Sequence, residues 1–304
     1  SIKKVYNDEG VLTSGKLEYS LPNFAKDSFY DAVVRKIYLI TSEEDLVWVA
    51  NNVNNGNLLT SGVEFMLLKD LDLSGRYFTP IGLNRTYSFN GIFNFNGHVI
   101  KGLTIDSNFV YSGLFGYTQN ALIINGYLTN AFIKIRANVP NMKAYAGALV
   151  GFAENTNIKN MVVSTCLTIS SSGGTYVGGV VGYYTKSKTT CGINNVRVYG
   201  SSTHVDLGEY KSQITEKSIQ EGEVSIAGFS VDGGTYVGGV VGYAVATAKD
   251  EDEKSKITSL VSYATVNTVV IGLSMSQLTT AHVGVGGVLG YGADLVKLDA
   301  CYVP

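Results

Sequence analysis

The string GGTYVGGVVGY at 173–183 recurs letter for letter at 233–243. Looser copies stand at Tyr111–Tyr117 (YSGLFGY), Tyr145–Phe152 (YAGALVGF) and Val285–Tyr291 (VGGVLGY). Five versions of one apolar, glycine-studded segment mean that the chain is built by repetition. A unit that cannot bury its own apolar face must stack on its neighbours. Counted from the last glycine of each copy (Gly116, Gly151, Gly182, Gly242, Gly290), the steps are 35, 31, 60 and 48 residues. The two shorter steps suit a unit of about three short strands with corners. The longer ones require insertions, and polar runs mark them at 203–223 (including DLGEYKSQITEKSIQEGE) and 249–256 (KDEDEKSK).

Within the repeated segment, strict alternation places Val177, Gly179, Val181 and Tyr183 on one face and Tyr176, Gly178, Val180 and Gly182 on the other. Both sets are apolar, which suits a strand covered on both faces, and the alternation leaves open which face points inward. An apolar segment follows each copy, and asparagine recurs near its start (Asn125, Asn160, Asn195). Asn tolerates left-handed backbone and bonds to local backbone groups, so these positions are expected to be repeated corners with laddered amides. Together these features predict an all-β chain. The expected architecture is a right-handed, single-stranded parallel β-helix over 59–304, with an N-terminal segment and capping element over 1–58. In that segment Thr41-Ser42-Glu43-Glu44-Asp45, followed by Leu46, Val49, Ala50 and Val53, reads as a short amphipathic helix. Ser42 would be its N-cap, and Asn54-Asn55-Gly56-Asn57 would stop it. Trp48, the single tryptophan, is expected to pack in this cap.

Composition narrows the function classes. Charged residues make up 16% of 304 residues against 45% hydrophobic, which describes a well-buried chain and not a disordered one. A net charge of −2 provides no electrostatic footprint for nucleic acid or anionic lipid. No apolar run approaches the ~20 residues of a membrane span. The three cysteines, Cys166, Cys191 and Cys301, have no metal or disulfide spacing and read as buried free thiols. The start at Ser1, and an end just after the strand-like Ala300-Cys301-Tyr302-Val303, read as a piece of a longer protein.

From residue 40 onward an ordered series of segments can be read: ITSEEDLVWVANNVNNGN, EFMLLKDLDLSG, FTPIG, FNGIFNFNGHVIKGLTI, SGLFGY and the later GGVVGY copies. This series resembles bacterial surface proteins carrying the GLUG motif. The resemblance implies a right-handed parallel β-helix in an extracellular stalk or adhesin, with no catalytic residues to carry over. At 93–98 the chain reads FNFNGH where that family usually reads FDGNGH, so Asn94 and Phe95 replace an Asp and a Gly.

Glycoside hydrolysis needs two carboxylates across a cleft. Asp70 and Asp72, spaced to share a strand face, with Asp106, Asp294 and Asp299, are the candidates for it. The DLDL context reads instead as a strand edge with its acids in solvent. The acids of 250–253 lie in a Lys-flanked run without the glycine and distal Glu of a calcium loop. The three histidines, His98, His204 and His282, lack metal spacing. No cofactor is therefore expected, and the balance falls against an enzyme.

The leading expectation is a non-enzymatic, secreted or cell-surface bacterial module, a stalk or an adhesin for a glycan or surface-protein ligand. Tyr199 and Tyr210, beside the 203–223 insertion, are its expected contacts, because loops on a rigid scaffold often carry function. The competing expectation is a polysaccharide lyase or glycoside hydrolase, which a cleft lined by carboxylates would favour.

Overall fold

The computed structural model describes residues 2–6, 12–17, 36–136, 142–170, 174–188, 190–200, 224–227, 235–247, 257–262, 266–269, 283–294, 296, 298–299, 301 and 303. These form strands in three sheets, together with one helix.

The first sheet has fifteen strands. It opens antiparallel, Ile2–Tyr6 against Leu12–Leu17 against Lys36–Ile40, and then runs parallel through Val63–Leu67, Ile92–Asn94, Leu122–Arg136, Asn157–Ser170 and Ile193–Gly200. The second and third sheets have five strands each, all parallel. The second contains Phe115–Gln119, Val150–Glu154, Val181–Lys186, Val241–Ala246 and Leu289–Asp294. The third contains Tyr111–Ser112, Ala144–Gly147, Thr175–Gly178, Thr235–Gly238 and Val283–Gly286.

This corrects the expected single-stranded β-helix. The three sheets are separate and are not closed into one solenoid. The physical reason is an uneven strand supply, fifteen in one sheet against five in each of the others, with an antiparallel hairpin at its start. The 15-residue strand Leu122–Arg136 pairs along its length with three short strands in succession, Ile92–Asn94, Val99–Lys101 and Thr104–Ser107.

The duplicated string is corrected as well. It is two strands, Thr175–Gly178 and Val181–Lys186, in two different sheets, with a bend at Gly179–Val180. Alternation breaks at the bend, so Val177, Val180 and Val181 are all buried. The two sheets pass at backbone distance, and glycine makes that approach possible. A Cβ on Gly182 would stand 2.6 Å from the Ala146 amide nitrogen and 2.8 Å from the Tyr176 carbonyl oxygen, both in the third sheet.

In-register pairing stacks like on like inside. Phe65, Phe93, Ile123, Ile158 and Ile193 occupy one buried row across the long sheet. Burial of each such side chain contributes about 1.5–3 kcal/mol. The helix Glu43–Asn54 links the parallel strands Lys36–Ile40 and Val63–Leu67, burying Leu46, Val49, Ala50 and Val53. The Ser42 hydroxyl accepts from the Asp45 amide at 3.1 Å, and the Asp45 carboxylate accepts from the Thr41 amide at 2.7 Å, a reciprocal N-terminal cap. Trp48 packs against the core and lies 6.2 Å from the Tyr38 ring.

Candidate functional site

Two aromatic columns cover the outer faces of the five-stranded sheets. In the second sheet Tyr117, Phe152, Tyr183, Tyr243 and Tyr291 stack successively at 4.6–5.1 Å. In the third, Tyr111, Tyr145, Tyr176 and Tyr236 stack at 4.8–5.6 Å. The columns mesh edge to face, as Tyr145 does with Phe152 at 5.3 Å. Such contacts contribute about 0.5–1.5 kcal/mol each beyond area burial. Ring faces inside the columns cover one another, so they offer solvent edges and hydroxyls and no open platform. Burial raises the phenol pKa values of Tyr111, Tyr117, Tyr145, Tyr176, Tyr236 and Tyr243, and that of Tyr183 to about 12, where the neighbouring phenols add to the effect.

The carboxylates singled out from the sequence are tied into local structure. Asp70 accepts from the Val99 amide at 3.0 Å and lies 3.0 Å from His98 Nδ1; these bonds hold its pKa below the ordinary value. Asp72 accepts from the Ser74 amide at 2.9 Å and pairs with Lys101 at 3.7 Å, and Ser74 is the larger cause of its lowered pKa. Asp106 is held by Arg136 at 2.9 Å. Burial alone would raise the Glu154 carboxyl, but hydrogen bonds from Tyr117, Gln119 and Arg85 outweigh it and keep the pKa low. Asp294 and Asp299 are exposed near the last strands. A glycosidase acid needs a raised pKa, and the shifts found at Asp70, Asp72 and Glu154 run the other way. His98 and Asp70 make a pair but not a triad. Asp70 is exposed, and among the described residues no Ser, Thr or Cys side chain hydrogen-bonds to the other ring nitrogen of His98. No group of three or more metal-ligating side chains occurs among the described residues.

The long sheet carries a hollow of about 380 Å³ at its asparagine corner. Asn125, Asn160 and Asn195 are left-handed there, with φ of 63°, 55° and 52°. Asn160 donates to the Asn125 carbonyl oxygen at 2.9 Å, and Asn195 donates likewise to Asn160 at 2.9 Å, so the expected amide ladder is present. Gly126 and the buried Met161 form the floor. A Cβ on Gly126 would stand 2.0 Å from Phe95 Cβ, so Gly126 makes room for the buried Phe95 ring. Asn94 caps the adjoining turn by accepting from the Asn96 amide at 2.9 Å. Tyr127, Val162 and Arg197 stand side by side along the hollow, in register across three strands. A second hollow of about 340 Å³ lies beside Asn90, Asn120 and Leu122.

Tyr199 is half-buried on Ile193–Gly200, in register with Ser164. Tyr210, both insertions (203–223 and 249–256), His204 and His282 lie outside the described residues. Cys166 and Cys191 are buried free thiols as expected, and burial raises the Cys191 pKa; Cys301 is half-exposed. Sequence reasoning missed Tyr127 and Arg197 as lining residues. The signal was present, because Asn125, Asn160 and Asn195 are spaced 35 residues apart. The residues two positions on, Tyr127, Val162 and Arg197, must share that spacing and lie in one row.

No described helix is long and apolar enough to cross a membrane. No family model matches the chain, and no curated protein matches it either. A solved structure from Bacteroides ovatus, provisionally named an immunoglobulin A1 protease, is similar in fold. Its TM-score is 0.50 at 18% identity, over 88% of this chain and 75% of that one. At this identity the likeness concerns the fold alone.

Proposed function

We propose that this chain is a non-enzymatic extracellular module of a bacterial surface protein, a rigid adhesive segment or spacer. The observation that carries the reading is the engagement of four of the described carboxylates. Asp70, Asp72, Asp106 and Glu154 are each held by a backbone cap or a cation, and the pKa shifts found among them are downward. A carboxyl that acts as general acid near neutral pH needs a raised pKa, and none of these shifts runs that way. The stacked aromatic columns and the amide ladder support the same reading, since they use side chains to stiffen the scaffold. The GLUG resemblance of 40–304 supports a surface location.

The test is to immobilise the purified chain on a glycan array and, in parallel, to incubate it with polysaccharides and with proteins that include immunoglobulin A1. Saturable binding without new reducing ends or new amino termini is the expected result for an adhesive segment, and neither binding nor cleavage for a spacer. Turnover of either substrate class contradicts the reading.

A further inference from the structure

The hollow at the asparagine corner has the features of a ligand site, and we propose that it binds a saccharide chain bearing a carboxylate. The proposal rests on the adhesive reading and names its ligand class.

The asparagines supply the polar contacts. Asn160 uses one N–H toward Asn125 and one carbonyl lone pair toward Asn195, which leaves it one donor and one acceptor for a ligand. A donor and an acceptor on one planar amide suit the hydroxyls of a sugar. The ladder repeats this offer at each strand, every ~4.8 Å.

Tyr127 supplies the apolar contact. It is 43% exposed, and its neighbours in the row are Val99 and Val162. Among the described rings none stacks on it, unlike the tyrosines of the columns. Its face can therefore take the C–H face of a pyranose. Arg197 stands two strands away, roughly 10 Å at sheet spacing. It is exposed and makes no ion pair with a described residue. A guanidinium matches a carboxylate in a bidentate geometry. Among the described residues no carboxylate lines the hollow.

Other occupants fit less well. Leu122–Arg136, Asn157–Ser170 and Ile193–Gly200 are paired on both sides at the hollow, so no open edge is present for a peptide strand to join. One arginine in a chain of net charge −2 provides no track for a polyphosphate backbone.

The test is calorimetric titration of the full chain with a galacturonate hexamer and with its carboxyl-reduced, neutral counterpart. The acidic hexamer is expected to bind at least about tenfold more tightly, a charge-assisted contact of ~1.4 kcal/mol. Arg197→Gln should abolish that preference, and Tyr127→Ala should weaken both hexamers by about tenfold. Both positions are exposed, and an unchanged melting temperature shows that the variants fold. Equal affinity for the two hexamers, no binding of either, or acidic binding that Arg197→Gln leaves intact overturns the proposal. None of these touches the broader reading, which cleavage of the hexamer would overturn on its own.

Discussion

Tyr176 and Tyr183 meet edge to face at 5.3 Å with their rings 74° apart, each on the outer face of a different sheet. Tyr183 also stacks on Phe152 at 4.6 Å and on Tyr243 at 4.9 Å. It is one of the rings at which the two columns interlock, meeting Tyr145 as well as Tyr176 edge to face. Tyr183→Ala is expected to lower stability by about 2–4 kcal/mol, through lost packing and ring contacts. Tyr183→Phe keeps the ring and should stay within about 0.5 kcal/mol. Urea unfolding of the two variants checks the difference.

The close passage of the second and third sheets predicts a sharp contrast between two glycines. Gly182→Ala would place a methyl 2.6 Å from a backbone nitrogen and 2.7 Å from a backbone oxygen, and neither can withdraw without moving a strand. Its expected cost is about 3 kcal/mol or more, in the range of severe overpacking. Gly75, at φ 79° with open space around it, should cost about 1 kcal/mol as Ala, from backbone strain alone. Thermal melts of the two variants report the difference.

The asparagine corners separate a backbone role from a side-chain role. Asn160 has φ 55° and bonds to both neighbouring amides. Asn160→Gly keeps the left-handed backbone and loses the ladder, whereas Asn160→Ala loses both. The alanine variant is expected to be less stable than the glycine variant by about 1 kcal/mol. Equal stability of the two in urea would show that the corner conformation carries no cost.

The pH profile should fall at both ends. Burial raises the pKa values of the column tyrosines Tyr111, Tyr145, Tyr176 and Tyr183 from the ordinary 10.0, to about 12 at Tyr183. Stability from keeping the phenols neutral is complete below pH 10.0 and is lost as pH rises through the folded values. Phenolate absorbance should therefore appear together with loss of the β-sheet circular dichroism signal, and not ahead of it. At the acid end Asp70 and Asp72 are held below the ordinary 3.8. Their contribution is present above that value and is lost as pH falls through the folded values. Asp72→Asn should flatten the acid limb measured by urea unfolding, and leave the alkaline limb unchanged.

Local features of this chain were readable where one residue type satisfies one local demand. Ser42 marks the helix start because a hydroxyl must accept an orphan amide, and Asn125, Asn160 and Asn195 mark corners because few side chains tolerate left-handed backbone. The duplicated string was misleading for a physical reason. Alternation describes one straight strand, and nothing in the letters GGTYVGGVVGY shows that the chain bends at Gly179–Val180 and changes sheet. The closed single-stranded architecture failed for a related reason. Repetition fixes that units stack, but the number of strands each unit gives to each sheet depends on corner geometry. The hollow was hidden because Tyr127 and Arg197 become neighbours only through register across three strands.

The central claim is that this chain holds and presents and does not cut. It is tested most directly by extended incubation of the purified protein with mixed polysaccharides and proteins, counting new reducing ends and new amino termini over time. The account predicts no release above that of heat-inactivated protein. Time-dependent release that disappears in Asp72→Asn or Asp106→Asn would contradict it.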